Sequence, residues 1–403
     1  MRIVMSSRAS GWVTRTVGLL ALGAFGCGAA PGDETASLPL DLENRAYIVG
    51  RDSGDVTVID LNRMEVLGVL DTQGVNNHMA ELNADFTKGY VDSAGTNETV
   101  VFDTRALKIQ KRVKIGEEPT HLALSRDGKY VAVINESTNA VSFIDAATDT
   151  EVKRLTGFST PHFIRFAPDG NYAYVANIGA HHITRVEMSS LTIDGEIVLD
   201  GFQGSPHPSK AEDEGGFADV QIDKRGMLYG AHAATGRVLV YDTVTRTKVS
   251  ELKVGAKPWV VFAEHPFDAV THHVVPNFGD ATVSLIRPDG ASMGGSAPGG
   301  DSEAYGVNYS PRAPGLAFVM NRVRSEIAVV DTDLRQVVKN IPVGGNTETA
   351  STTRDGKYIV AAVSSANRVV VIDTVTKAIV HTFDNVGRYP WSVTIPRGQN
   401  YCH

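Results

Sequence analysis

The chain has 403 residues, a hydrophobic content of 42% and a formal net charge of −8, which allows a large folded core and argues against disorder. The acidic balance disfavours nucleic-acid binding, which needs a basic footprint, and two cysteines are too few for a disulfide framework. No run of eighteen apolar residues occurs, so no membrane-spanning helix is expected.

The first predicted element is a secretory signal over residues 1–26. Three arginines flank the apolar run "TVGLLALGAFG" (16–26), which ends in small residues. The ending "AFGC" resembles the lipobox of bacterial lipoproteins, so Cys27 is predicted to be lipidated; ordinary cleavage after Gly26 is the alternative. Residues 27–42 then predict a flexible tether. We therefore expect an exported protein, in the periplasm or at the cell surface, held by a lipid anchor at the outer membrane.

Residues 43–397 repeat a unit whose third strand is an alternating apolar run that ends in an acid. Seven copies carry the acid, and an eighth, "TVSLI" (282–286), lacks it. Successive acids are 43, 42, 42 and 55 residues apart, then 89 across the degenerate copy, and 42 again. A period in the low forties predicts one four-stranded blade per repeat. The expected fold is all-β, an eight-bladed β-propeller.

The two ends of the repeat region predict how the ring closes. "RAYIVG" (45–50) corresponds to the second strand of a unit, and "PWSVTIP" (390–396) to the first. Pairing of these N- and C-terminal strands would complete one blade and remove the open sheet edge. The 55-residue interval adds a long loop over residues 200–216, and residues 398–403 are left as a C-terminal tail.

Alignment of the repeats on their turns places one residue of each unit at the entry to the innermost strand, which lines the central channel. These positions hold His78, Thr120, His162, Ala218, Trp259, Tyr305, Glu348 and Trp391, and His121 lies one position further in. Propeller ligands bind at this mouth. Two imidazoles predict a metal or an iron tetrapyrrole, and the aromatic side chains predict walls for a planar ligand. The alternative is that these side chains only pack a narrowing channel.

Other histidines are predicted to have structural roles. In "HPFDAVTHH" (265–273), His272 and His273 point to opposite faces of a strand and cannot chelate together, so the segment is predicted to be a surface turn and strand. The histidines of "AHH" (180–182) and His232 fall in equivalent turns between the second and third strands. We expect both turns to be solvated.

The last two residues, Cys402 and His403, offer a thiolate and an imidazole for copper or zinc. A structural zinc site needs four ligands, so a second chain or residues of the channel would have to complete the set. A frayed terminus is the alternative. The chain contains no G-x-S-x-G, H-E-x-x-H or phosphate-binding glycine loop, so serine-hydrolase and nucleotide chemistry have no support.

Several of these segments resemble a known family. The units "YVDSAGTNETVVFD" (90–103) and "YVANIGAHHITRVE" (174–187) are similar to YVTN-type propeller repeats. More narrowly, residues 51–78 and 264–286 resemble the eight-bladed d1-heme domain of cytochrome cd1 nitrite reductases and the related d1-heme biosynthesis lipoproteins. The histidine that enters the inner strand after the first such unit is the proximal iron ligand of that family. The resemblance therefore implies that His78 has this role.

The chain departs from that family in two respects. Trp259, in "AKPW" (256–259), stands where the family has its distal histidine, and no C-x-x-C-H segment for a covalent c-type haem occurs. The resemblance therefore implies binding, delivery or modification of a tetrapyrrole, and not nitrite reduction.

Three functions remain open at this point, and the sequence does not decide whether the chain is an enzyme. The first is a membrane-anchored lipoprotein that binds a haem d1-like tetrapyrrole or a transition metal, with His78 and His162 as metal ligands. The second is a YVTN-type interaction module that contacts protein or polysaccharide through the 200–216 loop and the blade faces. The third is a lactonase-like enzyme that holds a divalent ion with Glu348 and the histidines.

Overall fold

The computed structural model describes residues 41–204, 215–263, 271–300 and 303–401. The predicted signal, the lipidation site Cys27, most of the tether and both Cys402 and His403 lie outside these residues. The described strands are β1 Arg45–Gly50, β2 Asp55–Asp60, β3 Glu65–Asp71, β4 Asn77–Leu82, β5 Lys88–Ser93, β6 Glu98–Asp103, β7 Lys108–Lys114, β8 Pro119–Leu124, β9 Tyr130–Asn135, β10 Ala140–Asp145, β11 Thr150–Thr156, β12 Pro161–Phe166, β13 Tyr172–Asn177, β14 His182–Glu187, β15 Thr192–Val198, β16 Phe217–Ile222, β17 Met227–His232, β18 Arg237–Asp242, β19 Thr247–Lys253, β20 His273–Asn277, β21 Thr282–Ile286, β22 Met293–Pro298, β23 Ala304–Tyr309, β24 Leu316–Asn321, β25 Glu326–Asp331, β26 Gln336–Pro342, β27 Thr347–Thr352, β28 Tyr358–Val363, β29 Arg368–Asp373, β30 Ala378–Asp384, β31 Pro390–Thr394 and β32 Gln399–Tyr401.

These strands form eight antiparallel sheets, which confirms the eight-bladed propeller. Counted from the channel outwards, blade 1 is β31, β1, β2 and β3, and blades 2 to 5 take the next sixteen strands in groups of four. Blade 6 is β20 to β22, blade 7 is β23 to β26, and blade 8 is β27 to β30. Two single-turn 3-10 helices, Ala233–Thr235 and Ser364–Ala366, lie in turns between second and third strands. No helix in the described ranges is long and apolar enough to cross a membrane.

Closure of the ring uses both ends of the domain. β1 pairs with β31 in antiparallel register, with Ile48 opposite Val393 and Tyr47 opposite Thr394. The innermost strand of blade 1 therefore comes from the C-terminal end of the chain, and its other three strands from the N-terminal end. This is the closure that the sequence predicted.

The core lies between neighbouring blades. The two middle strands of blade 3, β9 and β10, are buried at nearly every position, whereas its outermost strand β11 is mostly exposed. One cluster joins Ile134 and Phe143 of blade 3 to Ile164 and Val175 of blade 4. Because a blade is covered on both faces, its middle strands are continuous apolar runs, and only the outermost strand exposes most of its side chains to water.

The acid that marks the repeats closes the turn into the outermost strand. Asp103 Oδ1 accepts the backbone N–H groups of Arg105 and Ala106, both at 2.8 Å, and Leu107 completes the turn with a left-handed φ of 49°. Carboxylates favour such turns because they bond the backbone two and three residues on. The same pair of bonds occurs at Asp60, Asp145, Asp242, Asp331 and Asp373.

Blade 6, the degenerate repeat, departs from the pattern. Its innermost segment makes two isolated bridges, Pro258 with Asn277 and Phe262 with Val274, instead of a continuous strand. Tyr309 of blade 7 supports this segment, because its hydroxyl donates to the Phe262 carbonyl at 3.0 Å and accepts the Val274 N–H at 2.9 Å.

The C-terminal tail predicted over residues 398–403 differs from what the structure shows. Gln399–Tyr401 form β32, which adds to the channel edge of blade 8 and pairs with β27. Gln399 also reaches blade 7, where its Oε1 accepts the Tyr309 N–H at 2.8 Å and its carbonyl accepts from Asn308 at 3.2 Å. These hydrogen bonds hold residues 399–401 against blades 7 and 8.

Candidate ligand site at the mouth of the channel

The eight aligned residues occupy equivalent places at one end of the channel. Seven of them are the second residue of an innermost strand, from β4, β8, β12, β16, β23, β27 and β31. Trp259 follows the bridging residue Pro258 in blade 6. Glu348 lies in β27, but its side chain is outside what the structure describes. The turns of the repeat were therefore sufficient to identify, from the sequence, the eight residues that encircle the channel mouth.

The chain enters most of these strands through a strained residue. Two positions before the ring residue, φ is between 46° and 54° at Asn76, Glu118, Thr160, Lys257, Glu303 and Tyr389. Left-handed backbone is uncommon for residues with a side chain and gathers at functional sites. Here it turns the chain sharply from one blade into the next and starts the inner strand at the channel mouth.

Three imidazoles lie in contact at the mouth. The His121 ring centroid is 4.8 Å from that of His78 and 4.5 Å from that of His162. His121 is fully buried and rests on Phe163 at 5.0 Å. The structure thus brings together the three histidines that the sequence selected. His121 lies one residue further along its inner strand than the aligned position, which is Thr120.

The two ring histidines both interact with the backbone of the following blade. His162 Nδ1 donates to the carbonyl of Ala218 at 2.9 Å, since a carbonyl can only accept, and the Thr120 backbone near His78 partly opposes the lowering of its pKa. Each partner is the ring residue of the following blade. A backbone carbonyl on one ring nitrogen fixes the tautomer and is the usual support of a ligating histidine.

The imidazoles of His78 and His162 are both neutral at pH 7. Burial lowers the pKa of His78 to about 3, and the nearby His162 and the cations Arg51 and Arg322 lower it further. Burial also lowers the pKa of His162 to about 4, with a smaller contribution from Arg322. Neutral imidazole is the form that binds a metal.

Aromatic side chains and one arginine wall the cavity at this mouth, which has a volume of about 850 Å³. Trp391 packs on His78 with ring centroids 5.3 Å apart, and Trp259 meets His162 edge-on at 6.1 Å. Tyr305 forms another wall under the guanidinium of Arg322. This volume falls in the range of cofactor and drug-sized ligands.

Sequence reasoning missed the cations of the mouth. Arg322 lies 3.5 Å above the Tyr305 ring, and Lys257 also lines the cavity. Arg51 stacks on Tyr389 and on Trp391, at 4.6 and 4.8 Å, in an adjoining cavity of about 450 Å³ that shares Arg322. Arg51 and Arg322 lie in turns between second and third strands, so aligning those turns as well as the inner strands would have found them.

The histidines of two such turns are not solvated, contrary to the sequence prediction. His181 Nδ1 and His232 Nε2 are 2.9 Å apart, and His232 Nδ1 bonds Thr235 Oγ1 at 2.9 Å. His232 is fully buried, and burial lowers its pKa to about 3, with His181 and Arg237 adding to the effect. His181 lines the main cavity. The pair forms because turns of blades 4 and 5 meet, which no local pattern shows.

The segment "HPFDAVTHH" is described only from residue 271 onward. His272 and His273 do point to opposite faces: His272 is 3.7 Å from Asp333, and His273 lies beside the Tyr229 ring at 4.9 Å. His273 is buried, so the prediction of a surface strand is wrong for it. It occupies the space between blades 5 and 6.

The polar side chains at the mouth suit a planar cofactor whose metal takes one imidazole ligand better than a metal ion that the protein alone would hold. Among the described residues, no three His, Cys, Asp or Glu side chains are arranged to hold a metal ion. Neutral imidazoles, flat aromatic walls and cations at the rim instead fit a flat anionic cofactor whose central metal needs one protein ligand.

Comparison with known proteins places this geometry in a family. The model of the Cytochrome D1 heme domain matches residues 40–261, more than half of the chain. Antigen Lp49 of Leptospira interrogans is 24% identical over 144 residues, 32% of this chain and 31% of that protein, so the match spans about a third of its length.

Three solved structures share the fold. The chain superposes on dihydro-heme d1 dehydrogenase NirN in complex with DHE with a TM-score of 0.74, 16% identity and coverage of 89% of this chain and 76% of that one. For hydrazine synthase of Kuenenia stuttgartiensis the values are 0.56, 18%, 81% and 92%. For apo AztD of Citrobacter koseri they are 0.63, 11%, 87% and 96%. Taken with the family model, the chain belongs to the Cytochrome D1 heme domain family.

Proposed function

We propose that this protein binds a haem d1-like tetrapyrrole at the channel mouth and holds it for transfer or modification. The observation that carries the proposal is the joint presence, in one cavity, of neutral imidazoles, two tryptophans and two cations, Lys257 and Arg322. Family membership and the fold shared with NirN, which is a dihydro-heme d1 dehydrogenase, support it.

His78 would supply a ligand to the metal of the bound group. Its imidazole is neutral at pH 7, so a lone pair is available without loss of a proton. A tetrapyrrole supplies a redox-active iron once it is bound. His162 and His121 would then pack beside the ligand, because they contact the same cluster.

The aromatic side chains would set the orientation of the ligand plane. Trp391 and Trp259 flank His78 and His162 on either side of the imidazole cluster. Offset and edge-on aromatic contacts favour a flat conjugated ring over an irregular ligand. With Trp259 in place of a distal histidine, one face of the ligand would meet an indole, which suits holding or handing over the group.

The cations would recognise the carboxylates of the tetrapyrrole. Arg322 and Lys257 line the main cavity, and Arg51 lies in the cavity next to it. Arginine forms two parallel hydrogen bonds to a carboxylate. The tyrosine and tryptophan faces beneath Arg322 and Arg51 hold their guanidinium planes at the rim.

We further propose that the protein is exported and anchored by lipid on Cys27, as the sequence of residues 1–27 supports. Replacement of Cys27→Ser should move the protein from the membrane fraction to the soluble fraction of the envelope. Membrane association of this variant equal to that of the wild type would contradict the anchor.

Titration of the metal-free protein with haem tests the ligand proposal. The wild type should develop a strong visible band with a Kd in the micromolar range or below, and His78→Ala should weaken binding about 100-fold, as expected for loss of an iron ligand. His381→Ala is the matched control, because this histidine lies on the outermost strand of blade 8.

Three results would reject the proposal. A wild-type protein that ignores haem and carries no metal would favour the interaction module. Stoichiometric metal without a tetrapyrrole would favour the lactonase-like enzyme. Equal haem affinities of His78→Ala and His381→Ala would remove His78 from the site.

A further inference from the structure

The backbone that presents His78 is fastened by one buried acid. In blade 2, Asn77 pairs with Ser93 and Ala80 with Val91, so His78 and Met79 form a bulge opposite the single residue Asp92. Asp92 Oδ1 accepts the Met79 N–H at 2.7 Å, and the His78 backbone lies near the same carboxyl. A bulge leaves backbone N–H groups without ladder partners, and here the Asp92 side chain accepts that of Met79.

No other blade has an acid at this position. The residue opposite the entry to the inner strand is apolar and buried in the remaining seven blades, where it is Val49, Ile134, Ala176, Ala231, Pro276, Met320 and Ala362. Similar bulges still form in blades 3, 4, 5, 7 and 8. The fold therefore builds this turn without an acid.

Keeping an acid here works against stability. Asp92 is fully buried. A buried carboxyl is costly whichever form it takes. A residue that lowers stability at a candidate site is expected to contribute to the function of that site.

Met79 is also held from its other end. Its sulfur lies 3.2 Å from the Leu122 backbone nitrogen in blade 3, one residue beyond His121. With its N–H on Asp92 and its sulfur on blade 3, Met79 cannot shift without moving His78. In blade 4 the position of Asp92 holds Ala176, which has no side-chain oxygen to accept a bond from the backbone that carries His162.

We infer that Asp92 is a positioning residue, whose carboxyl oxygen fixes the His78–Met79 backbone and thereby aims the His78 imidazole into the cavity. The inference rests on the proposed function for the ligand and deepens it, because it assigns the ligand role to His78 and not to His162. The geometry itself involves only hydrogen bonds of the ligand-free protein.

Two substitutions of Asp92 separate hydrogen bonding from mere packing. Asp92→Asn keeps an oxygen acceptor for the Met79 N–H. Asp92→Ala removes it and copies the residue that blades 4, 5 and 8 carry at this position, so the variant should fold. Glu98→Gln is the control, because this acid lies in the same blade but pairs with Arg112 at 2.7 Å.

The first readout needs no ligand. With histidine labelled by ¹³C and ¹⁵N, the ring signals of His78, assigned by their loss in His78→Ala, should be single and sharp in the wild type, Asp92→Asn and Glu98→Gln. They should broaden or split in Asp92→Ala, while those of His162 stay unchanged. Unchanged His78 signals in Asp92→Ala would overturn the inference.

The second readout is haem affinity. Asp92→Ala should bind about tenfold more weakly than the wild type, and Asp92→Asn within twofold. Equal losses in both variants would assign the effect to charge and overturn positioning by the hydrogen bond. If the wild type does not bind haem, the proposed function fails, and the ring signals alone still decide whether Asp92 positions His78.

Discussion

The two ends of the channel are built by the same inner strands but carry different chemistry. The mouth presents the neutral imidazoles of His78 and His162 and the indoles of Trp259 and Trp391. The opposite end has a cavity of about 640 Å³, lined at its charged positions by Arg126, Arg165, Lys224 and Arg397 with two acids, and also by residues 398–400. A repeat fold can thus place a site rich in imidazole and aromatic side chains at one end of its inner strands and a cavity rich in charged side chains at the other.

The largest expected effect comes from removing the aromatic walls. Trp259→Leu together with Trp391→Leu should weaken haem binding about 100-fold, because each aromatic contact contributes about 0.5–1.5 kcal/mol beyond burial. The measurement is a visible titration of variants whose thermal unfolding has been checked. Arg165→Ala, at the opposite end, is the control and should bind within twofold of the wild type. Equal losses of haem affinity in the double variant and in Arg165→Ala would show that the two ends of the channel do not differ in ligand binding.

The second prediction concerns acid stability. Folded His232 remains neutral down to a pKa of about 3, whereas the unfolded chain takes up this proton near pH 6.5. Its contribution to stability is therefore present above pH 6.5 and is lost as the pH falls toward 3. Between pH 7 and pH 5 the wild type should lose about 2 kcal/mol more than His232→Gln.

Denaturant unfolding at the two pH values measures this difference. Lys224→Ala, at the opposite end of the channel, is the control and should follow the wild type. An identical pH dependence of His232→Gln and the wild type would show that the buried pair near the mouth does not govern acid stability.

Removal of one cation at the mouth should have a smaller effect. Arg322→Ala is expected to weaken haem binding about tenfold, since a charged hydrogen bond contributes about 1.5–3 kcal/mol and solvent screens part of it at the rim. The loss should shrink as salt is raised. A haem analogue with esterified carboxylates should bind the wild type and Arg322→Ala equally; a persistent difference would contradict the carboxylate contact.

The smallest effect is expected at the opposite end. Gln399→Ala should lower the free energy of unfolding by about 1 kcal/mol, the net value of one neutral hydrogen bond, because the Oε1 that accepts the Tyr309 N–H is lost. Haem affinity should stay unchanged. A fall in affinity would mean that β32 supports the mouth as well as the lower end.

The fold and the ring positions were accessible from sequence because both depend on local, repeated chemistry. Asp103 and its equivalents recur since each closes the same turn, and that periodicity carries the register of His78 and His162 with it. Nothing local distinguishes His181 and His232, whose contact joins two blades. The same holds for Gln399, whose partners lie 90 residues away in blade 7.

Residues that act through their surroundings were also beyond the sequence. Asp92 occurs in "YVDSAG", where an acid looks unremarkable until the seven equivalent positions are seen to be buried and apolar. Arg322 gains its place at the mouth from the Tyr305 ring below it. Such roles depend on burial and on contacts across blades, which a single pattern does not report.

The seam of blade 1 also determines when the molecule can finish folding. Ile48 pairs with Val393, which follows 345 residues later in the chain. This pairing is the most non-local in the ring, so the chain entropy lost on closing the loop makes it slow to form. Blades 2 to 5 can each assemble from consecutive strands. Nearly the whole chain must therefore be synthesised before the ring can close, and any truncation before residue 390 removes the strand that closes it.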